Sequence, residues 1–511
     1  MKINYRPEID GLRAIAILSV IVYHANLYFF GHTFLTGGFL GVDIFFVISG
    51  YLITRIIILE IKITNKFSYM HFYERRVRRI IPALFFIIIF SIPFAYIILM
   101  DGSLRDFSRS IISSIFFYSN FYFWLTSNIY AQDATLLKPL LNTWSLSVEE
   151  QFYIIYPFLL VLFLKFFRPY YIRILLLLFI ISLIFATWSA YTDVIIRYNL
   201  YKALTLNFFD LSNFYLLTTR SFELLTGCLL CCFELNKKKN TIKFSNNSNQ
   251  LFSLIGFFLL FYSLFFFNDQ MPLPSFWTLV PLSGTFLIIW FSTKENLVTK
   301  VLSSKIFVFT GLISYSLYLW HYPIFAFLRQ LQLFNESILI KVIAIIVVFI
   351  FSVFSYYYIE KPFRNKKVIS TKKLIFYIFS GLIILLCFCT YITINNGARN
   401  WFPKIVDNAK FQSQNVQYNV GQGLKKVVLI GDSHASSLAF NLNEQIKGSE
   451  FSLSFMFSDL YVNNVYLKNR KTGIIDLSHL EKTREINDFL KKHEKLIVVL
   501  HHRWSLKILG T

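Results

Sequence analysis

Long stretches with almost no charge, each near the length of a membrane crossing, constrain this chain more than any other feature of its 511 residues. A helix needs about 20 mostly apolar residues to cross a bilayer. Such stretches lie near 12–30, 40–61, 80–99, 150–164, 173–191, 215–233, 251–267, 276–292, 306–329, 338–358 and 373–394. They predict a polytopic α-helical membrane protein of about eleven spans. Composition agrees: 56% of positions are hydrophobic and 15% charged, against about 45–50% and about 25% in soluble domains. Disorder, collagen, coiled coil and a disulfide scaffold are excluded.

Basic residues exceed acidic ones, 50 to 28, for a net charge of +22. The excess falls in short tracts between apolar stretches, such as Arg75-Arg76-Val77-Arg78-Arg79 and Lys237-Lys238-Lys239. Cytoplasmic loops have this look under the positive-inside rule, and no basic domain with interleaved aromatics suggests nucleic acid. A weaker stretch, 109–125, holds Arg109, Ser113, Ser114 and Asn120. Counting it as a crossing would put every later basic loop outside, so it is expected to lie in the interface or re-enter. The N-terminus is then cytoplasmic, its first apolar run a retained helix rather than a signal peptide. The basic loops 62–79, 165–172, 234–250, 293–305 and 359–372 face inward, and the chain after about 395 is extracytoplasmic. Cys228 and Cys231 form a lone C-x-x-C pair in an apolar stretch and predict no metal site.

Beyond 396 the apolar runs shorten. Lys425 to Ile430 reads as a buried strand leading into Gly431-Asp432-Ser433-His434, 435–447 as a following helix, and Lys495 to Leu500 as another strand. This is the start of an α/β segment.

Ionisable groups inside spans are costly and mark function. Arg13 and His24 are eleven residues apart, which on a helix places them on one face, about 16 Å apart along the axis. Asp43 sits among small residues in Gly37–Tyr51, where it is expected to face a neighbour or a water-filled cavity. Glu149 and Glu150 follow Ser145 and Ser147, which reads as a helix start with a serine cap and acids in the first turn. His321 lies in the polar run Ser314–Pro323. His24, His321 and a glutamate together make a candidate general-base network. The bland alternatives are an anchoring Arg13, core histidines, glycines that only pack helices, and a purely topological arginine cluster. The sharper reading of that cluster is a site for a phosphorylated cytosolic donor.

Together these motifs are distinctive. Tyr5–Arg13 followed by His24, the Gly37–Gly50 stretch, Phe72–Pro82, Thr143–Tyr153, Tyr318–Pro323 and Tyr358–Arg364 resemble, in order, the membrane acyltransferase-3 family. The likeness is greatest to polysaccharide (O-antigen type) O-acetyltransferases that carry a C-terminal SGNH domain. The resemblance implies a membrane domain over 1–365, a linking helix over 366–396, a linker over 397–424 and a partial SGNH-like domain over 425–511. It implies transfer of an acetyl or other acyl group from cytosolic acetyl-CoA, a substrate rather than a bound cofactor, to hydroxyls of a surface glycan such as lipopolysaccharide O-antigen or to a lipid-linked oligosaccharide. Acylation of peptidoglycan or another exopolysaccharide, and a transporter or flippase of acyl or lipid-linked groups, are the alternatives. The location implied is the bacterial inner membrane.

By the same resemblance His24 is the base or acyl-relay residue, paired with Arg13. Arg76 and Arg79, flanked by Arg75 and Arg78, hold the donor, and Glu149, ahead of Glu150, is the essential acid. Asp43 and His321 are further candidates. Ser433, with Asp432 and His434 beside it, matches the nucleophile turn of SGNH hydrolases. No Gly-x-Asn-Asp block follows. The SGNH portion is expected to be shortened by roughly half and to lack the Asp-x-x-His block that supplies the base, unless His501 or His502 substitutes.

Overall fold

The computed structural model describes residues 5–29, 32–126, 135–198, 214–236, 245–335, 337–395, 417–420, 425–431, 451–457 and 496–501. The chain divides into two units, one of Met1–Asn199 with Leu206–Ala398 and one of Leu200–Thr205 with Arg399–Thr511.

The first unit is helical. Its helices are α1 (Pro7–Ala25), α2 (Gly41–Thr64), α3 (Tyr69–Ile98), α4 (Asp101–Ile115), α5 (Ser119–Thr126), α6 (Thr143–Phe166), α7 (Tyr171–Tyr198) and α8 (Leu217–Asn236). There follow α9 (Asn246–Phe266), α10 (Leu279–Phe291), α11 (Leu297–Leu302), α12 (Lys305–Leu312), α13 (Ser314–Gln330), α14 (Ile338–Ser355), α15 (Lys361–Arg364) and α16 (Thr371–Ile394). Serines cap several of them: the hydroxyls of Ser68, Ser245, Ser337 and Ser370 accept from backbone N–H groups of α3, α9, α14 and α16.

The chain is a multi-pass membrane protein. Among the described residues, seven helices are long and apolar enough to cross: α2, α3, α6, α7, α9, α14 with the π turn after it, and α16. The other four expected spans are helical but fall short. Glu8, Asp10 and Arg13 charge α1, Arg220, Glu223 and Glu234 charge α8, and α10 has 13 residues. The expected span at 306–329 is two helices, α12 and α13, broken at Ile313. The segment 109–125 is parts of α4 and α5, joined through Phe117 at φ 55°. At 15 residues α4 reaches about 22 Å, short of a bilayer's hydrocarbon of about 30 Å.

Three boundaries differ from expectation. α1 begins at Pro7, pre-set for a helical first turn, and stops where Asn26 turns left-handed at φ 47°. α3 begins at Tyr69, so the arginine cluster is helical rather than looped. α6 begins at Thr143, which puts Glu149 and Glu150 in its second turn. Ser145 and Ser147 are therefore interior residues, not caps, and Asn142 at the helix start makes no capping bond.

The bundle closes on glycine. A Cβ at Gly50 would sit 1.9 Å from the Leu224 carbonyl and one at Gly227 1.9 Å from the Val47 carbonyl, so α2 and α8 meet backbone to backbone. Gly11 of α1 meets the Leu302 carbonyl of α11, and Gly311 of α12 meets the Asp10 carbonyl of α1, in the same way. At the centre, 56% of the most apolar window of α2 is buried, against 22% for α16. Exposed Ile375, Phe376, Phe379 and Ile383 give α16 the outward apolar face that lipid requires.

In the second unit, β3 (Gln417–Val420), β4 (Lys425–Gly431), β5 (Phe451–Phe457) and β6 (Leu496–His501) form a sheet in the order β3-β5-β4-β6. β4 runs parallel to β5 and β6, while β3 is antiparallel to β5. The two strands expected from sequence are thus neighbours in one sheet. The turn after β4 and the helix expected at 435–447 lie outside the described residues.

Candidate functional site

Four of the residues singled out in the sequence line one cavity in the first unit. Arg13 of α1, Arg76 and Arg79 of α3 and Glu149 of α6 line it together with Ser49 of α2, Tyr153 of α6 and Tyr315 and Tyr318 of α13. Arg76 and Arg79 share the space because residues three apart occupy one helix face. The Arg76 guanidinium lies 5.6 Å from the ring centre of Phe72 and 5.0 Å from that of Tyr153. Glu149 accepts from the Ser49 hydroxyl at 2.8 Å. Arg13 pairs with Asp10 at 3.2 Å, and the Tyr5 hydroxyl donates to the same carboxylate at 2.7 Å. Three guanidiniums around one carboxylate, in a largely apolar wall, suit an anion, since few water dipoles compete there.

The other two arginines of the cluster turn elsewhere. Arg75 is exposed, 3.6 Å from Glu60. Arg78 is buried, pairing with Glu74 at 3.0 Å and donating to the carbonyls of Ile369 at 2.7 Å and Phe363 at 3.2 Å. It ties the segment between α15 and α16 to α3 and does not line the cavity.

His24 and His321 meet. Nδ1 of His24 lies 3.3 Å from Nε2 of His321, whose Nδ1 lies 3.2 Å from the Leu317 carbonyl oxygen. A carbonyl only accepts, so His321 Nδ1 carries the proton and, in the neutral ring, Nε2 accepts. His24 Nδ1 is then the donor, and its Nε2 is left with the lone pair. Arg329 donates to the His24 backbone carbonyl, and the Tyr322 ring stands 5.1 Å from the His24 ring. Among the described residues, Glu149 lies with the arginines rather than beside these histidines, and the neighbour of His24 is a second imidazole.

Asp43 faces Arg220, 3.0 Å away, and the same guanidinium nitrogen reaches Glu223 at 2.8 Å. The Arg220 guanidinium also lies 4.5 Å from the Phe214 ring centre, so this buried triad is paired and stacked. Sequence reasoning missed Arg220 and Glu223, although two charges three residues apart inside an apolar span were a signal. Glu150 is buried, and its Oε1 has no hydrogen-bond partner among the described residues. Glu150 does not line the cavity.

In the second unit, Asp432, Ser433, His434 and His502 lie outside the described residues. His501 is described as backbone alone, its Cα paired with that of Gly431 across the β4–β6 ladder. One expectation is corrected by the sequence itself. Asp476-Leu477-Ser478-His479 has an Asp-x-x-His spacing downstream of Ser433, so the tail does not lack that block. It too lies outside the described residues.

The sequence pattern described as "Acyltransferase domain" matches residues 6–357. The chain is 34% identical over 378 residues to the O-acetyltransferase OatA of Staphylococcus aureus, covering 71% of this chain and 58% of that protein. It is 33% identical over 371 residues to the peptidoglycan O-acetyltransferase OatA of Listeria monocytogenes, covering 71% and 56%. The chain therefore matches a little over half the length of these relatives. No solved structure matches.

Proposed function

The chain belongs to the membrane acyltransferase-3 family, and from that premise we propose that it is an O-acetyltransferase, carrying an acetyl group from acetyl-CoA on one side of the membrane to a glycan hydroxyl on the other. The observation that carries this reading is the contact between Nδ1 of His24, on the same helix as Arg13, and Nε2 of His321, which leaves Nε2 of His24 free to accept a proton. In neutral water histidine is the ordinary proton acceptor, and a neutral partner that fixes its tautomer keeps it so.

Arg13, Arg76 and Arg79 hold the anionic donor, with Glu149 setting the polarity of the wall. His24 Nε2 takes the proton of the attacking hydroxyl. The hydroxyl oxygen forms the ester bond to the acetyl carbonyl, the carbon–sulfur bond breaks, and the thiol leaves with that proton. In this reading the donor cavity opens toward the cytoplasm, in keeping with the basic segments around it.

Of the acceptors expected, the name of the Listeria relative favours peptidoglycan over lipopolysaccharide O-antigen. Mass spectrometry of cell-wall and surface glycans from matched cells with and without this chain tests the reading. Ester-linked acetyl present only with the chain supports it, and identical acetylation in both contradicts it. Transport of an acyl or lipid-linked group, the other class, would leave acetyl-CoA unconsumed.

A further inference from the structure

Tyr318 belongs to two places at once. Its side chain lines the arginine cavity, and its ring centre lies 5.4 Å from that of His321. Among the described residues the rings of His24, Tyr318, Tyr322 and Phe325 stand against His321, and of these Tyr318 alone lines the cavity. Tyr318 and His321 are one turn apart on α13, so the ring lies along the helix face that leads from the cavity toward the histidines.

The ring is also held. The Tyr318 hydroxyl donates to the Asn142 carbonyl at 2.9 Å and lies 2.6 Å from the Ser145 hydroxyl. The Asn142 side-chain amide returns a bond to the Tyr318 backbone carbonyl at 2.5 Å. Both latching residues stand at the start of α6, the helix that presents Glu149 to the same cavity. On the other side, Phe45 of α2 meets the Tyr318 ring edge-on, 6.3 Å between centres. A packed aromatic that pays no more than two side-chain hydrogen bonds to move is suited to close a passage without sealing it.

We propose that the Tyr318 side chain is a movable partition between the arginine cavity and the His24–His321 pair, latched by Asn142 and Ser145, which must swing aside for an acyl group to pass. This rests on the acyltransferase reading for what passes, but the partition itself can be tested without it. Closed, the partition keeps water in the donor cavity away from His24. Open, it joins the two.

The test uses the full chain with His24→Cys, in sealed vesicles with the Arg75 end outward. An anionic, membrane-impermeant methanethiosulfonate is added outside, and the modified peptide is counted by mass spectrometry. With Tyr318 native, labelling at position 24 is slow; with Tyr318→Ala it rises about tenfold, the change expected for a tenfold larger open fraction. Tyr318→Phe, which keeps the ring and removes the latch, falls between them, as does Ser145→Ala. Equal labelling in the native and Tyr318→Ala backgrounds overturns the proposal. If Tyr318→Ala does not fold, labelling unchanged by both Tyr318→Phe and Ser145→Ala overturns it. Acetyl-CoA turnover, measured in parallel on the chain with His24 intact, separates the two readings. Its absence would overturn the acyltransferase reading and leave the labelling to judge the partition.

Discussion

His321, 297 positions along the chain from His24, presents its Nε2 to the Nδ1 of that residue at 3.3 Å. The proton order runs one way, from His24 to His321 and from His321 to the Leu317 carbonyl. Removing the acceptor should therefore free the tautomer of His24 without disturbing the arginines. His321→Ala is expected to lower the acetyl-transfer rate about 100-fold, the lower end of what a general base contributes. The KM for acetyl-CoA should stay within about twofold, since the donor cavity is untouched. Steady-state kinetics in proteoliposomes check both numbers.

The four arginines of α3 should separate into two phenotypes. Arg76→Ala and Arg79→Ala each remove a cation from the cavity and are expected to raise the donor KM about tenfold or more, as one charged hydrogen bond contributes about 1.5–3 kcal/mol. Arg75→Ala, at an exposed site, should change neither kinetics nor melting by more than about 0.5 kcal/mol. Arg78→Ala should leave donor affinity alone but lower stability by about 1–3 kcal/mol, because two carbonyls and Glu74 lose their donor. Isothermal titration with acetyl-CoA and thermal unfolding in detergent distinguish the pairs.

The Asp43–Arg220–Glu223 triad is nearly sealed, with side-chain exposures of 3%, 4% and 0%. Taking away its only cation leaves two carboxylates facing each other. Arg220→Ala is expected to cost about 3–5 kcal/mol of stability. Asp43→Asn, which keeps an acceptor, should cost clearly less. Melting temperatures of the purified variants give the order, and an unshifted Arg220→Ala would show that the triad does not hold the helices.

Much of this was legible in the sequence, and what was not has a physical cause. Apolar runs located the seven described helices that are long and apolar enough to cross, because lipid leaves a backbone few other choices. They misplaced the ends of α1, α3 and α6, because a helix continues past its apolar part wherever its own hydrogen bonds continue. Arg13 and His24 were readable as one face of one helix. That His24 meets His321, and that Glu149 joins the arginines instead, depends on how α1, α6 and α13 pack, and no local pattern encodes that. The polar stretch Ser314–Pro323 looked like a single span with polar contents. It is the start of a new helix, α13, which carries both Tyr318 of the cavity wall and His321.

The most direct measurement follows acetyl label from acetyl-CoA to glycan acceptor in proteoliposomes, comparing the native chain with His24→Ala. If His24 is the base, transfer falls by about 10³-fold or more while acetyl-CoA still binds with its native affinity. Transfer that continues at the native rate without that imidazole would contradict the account.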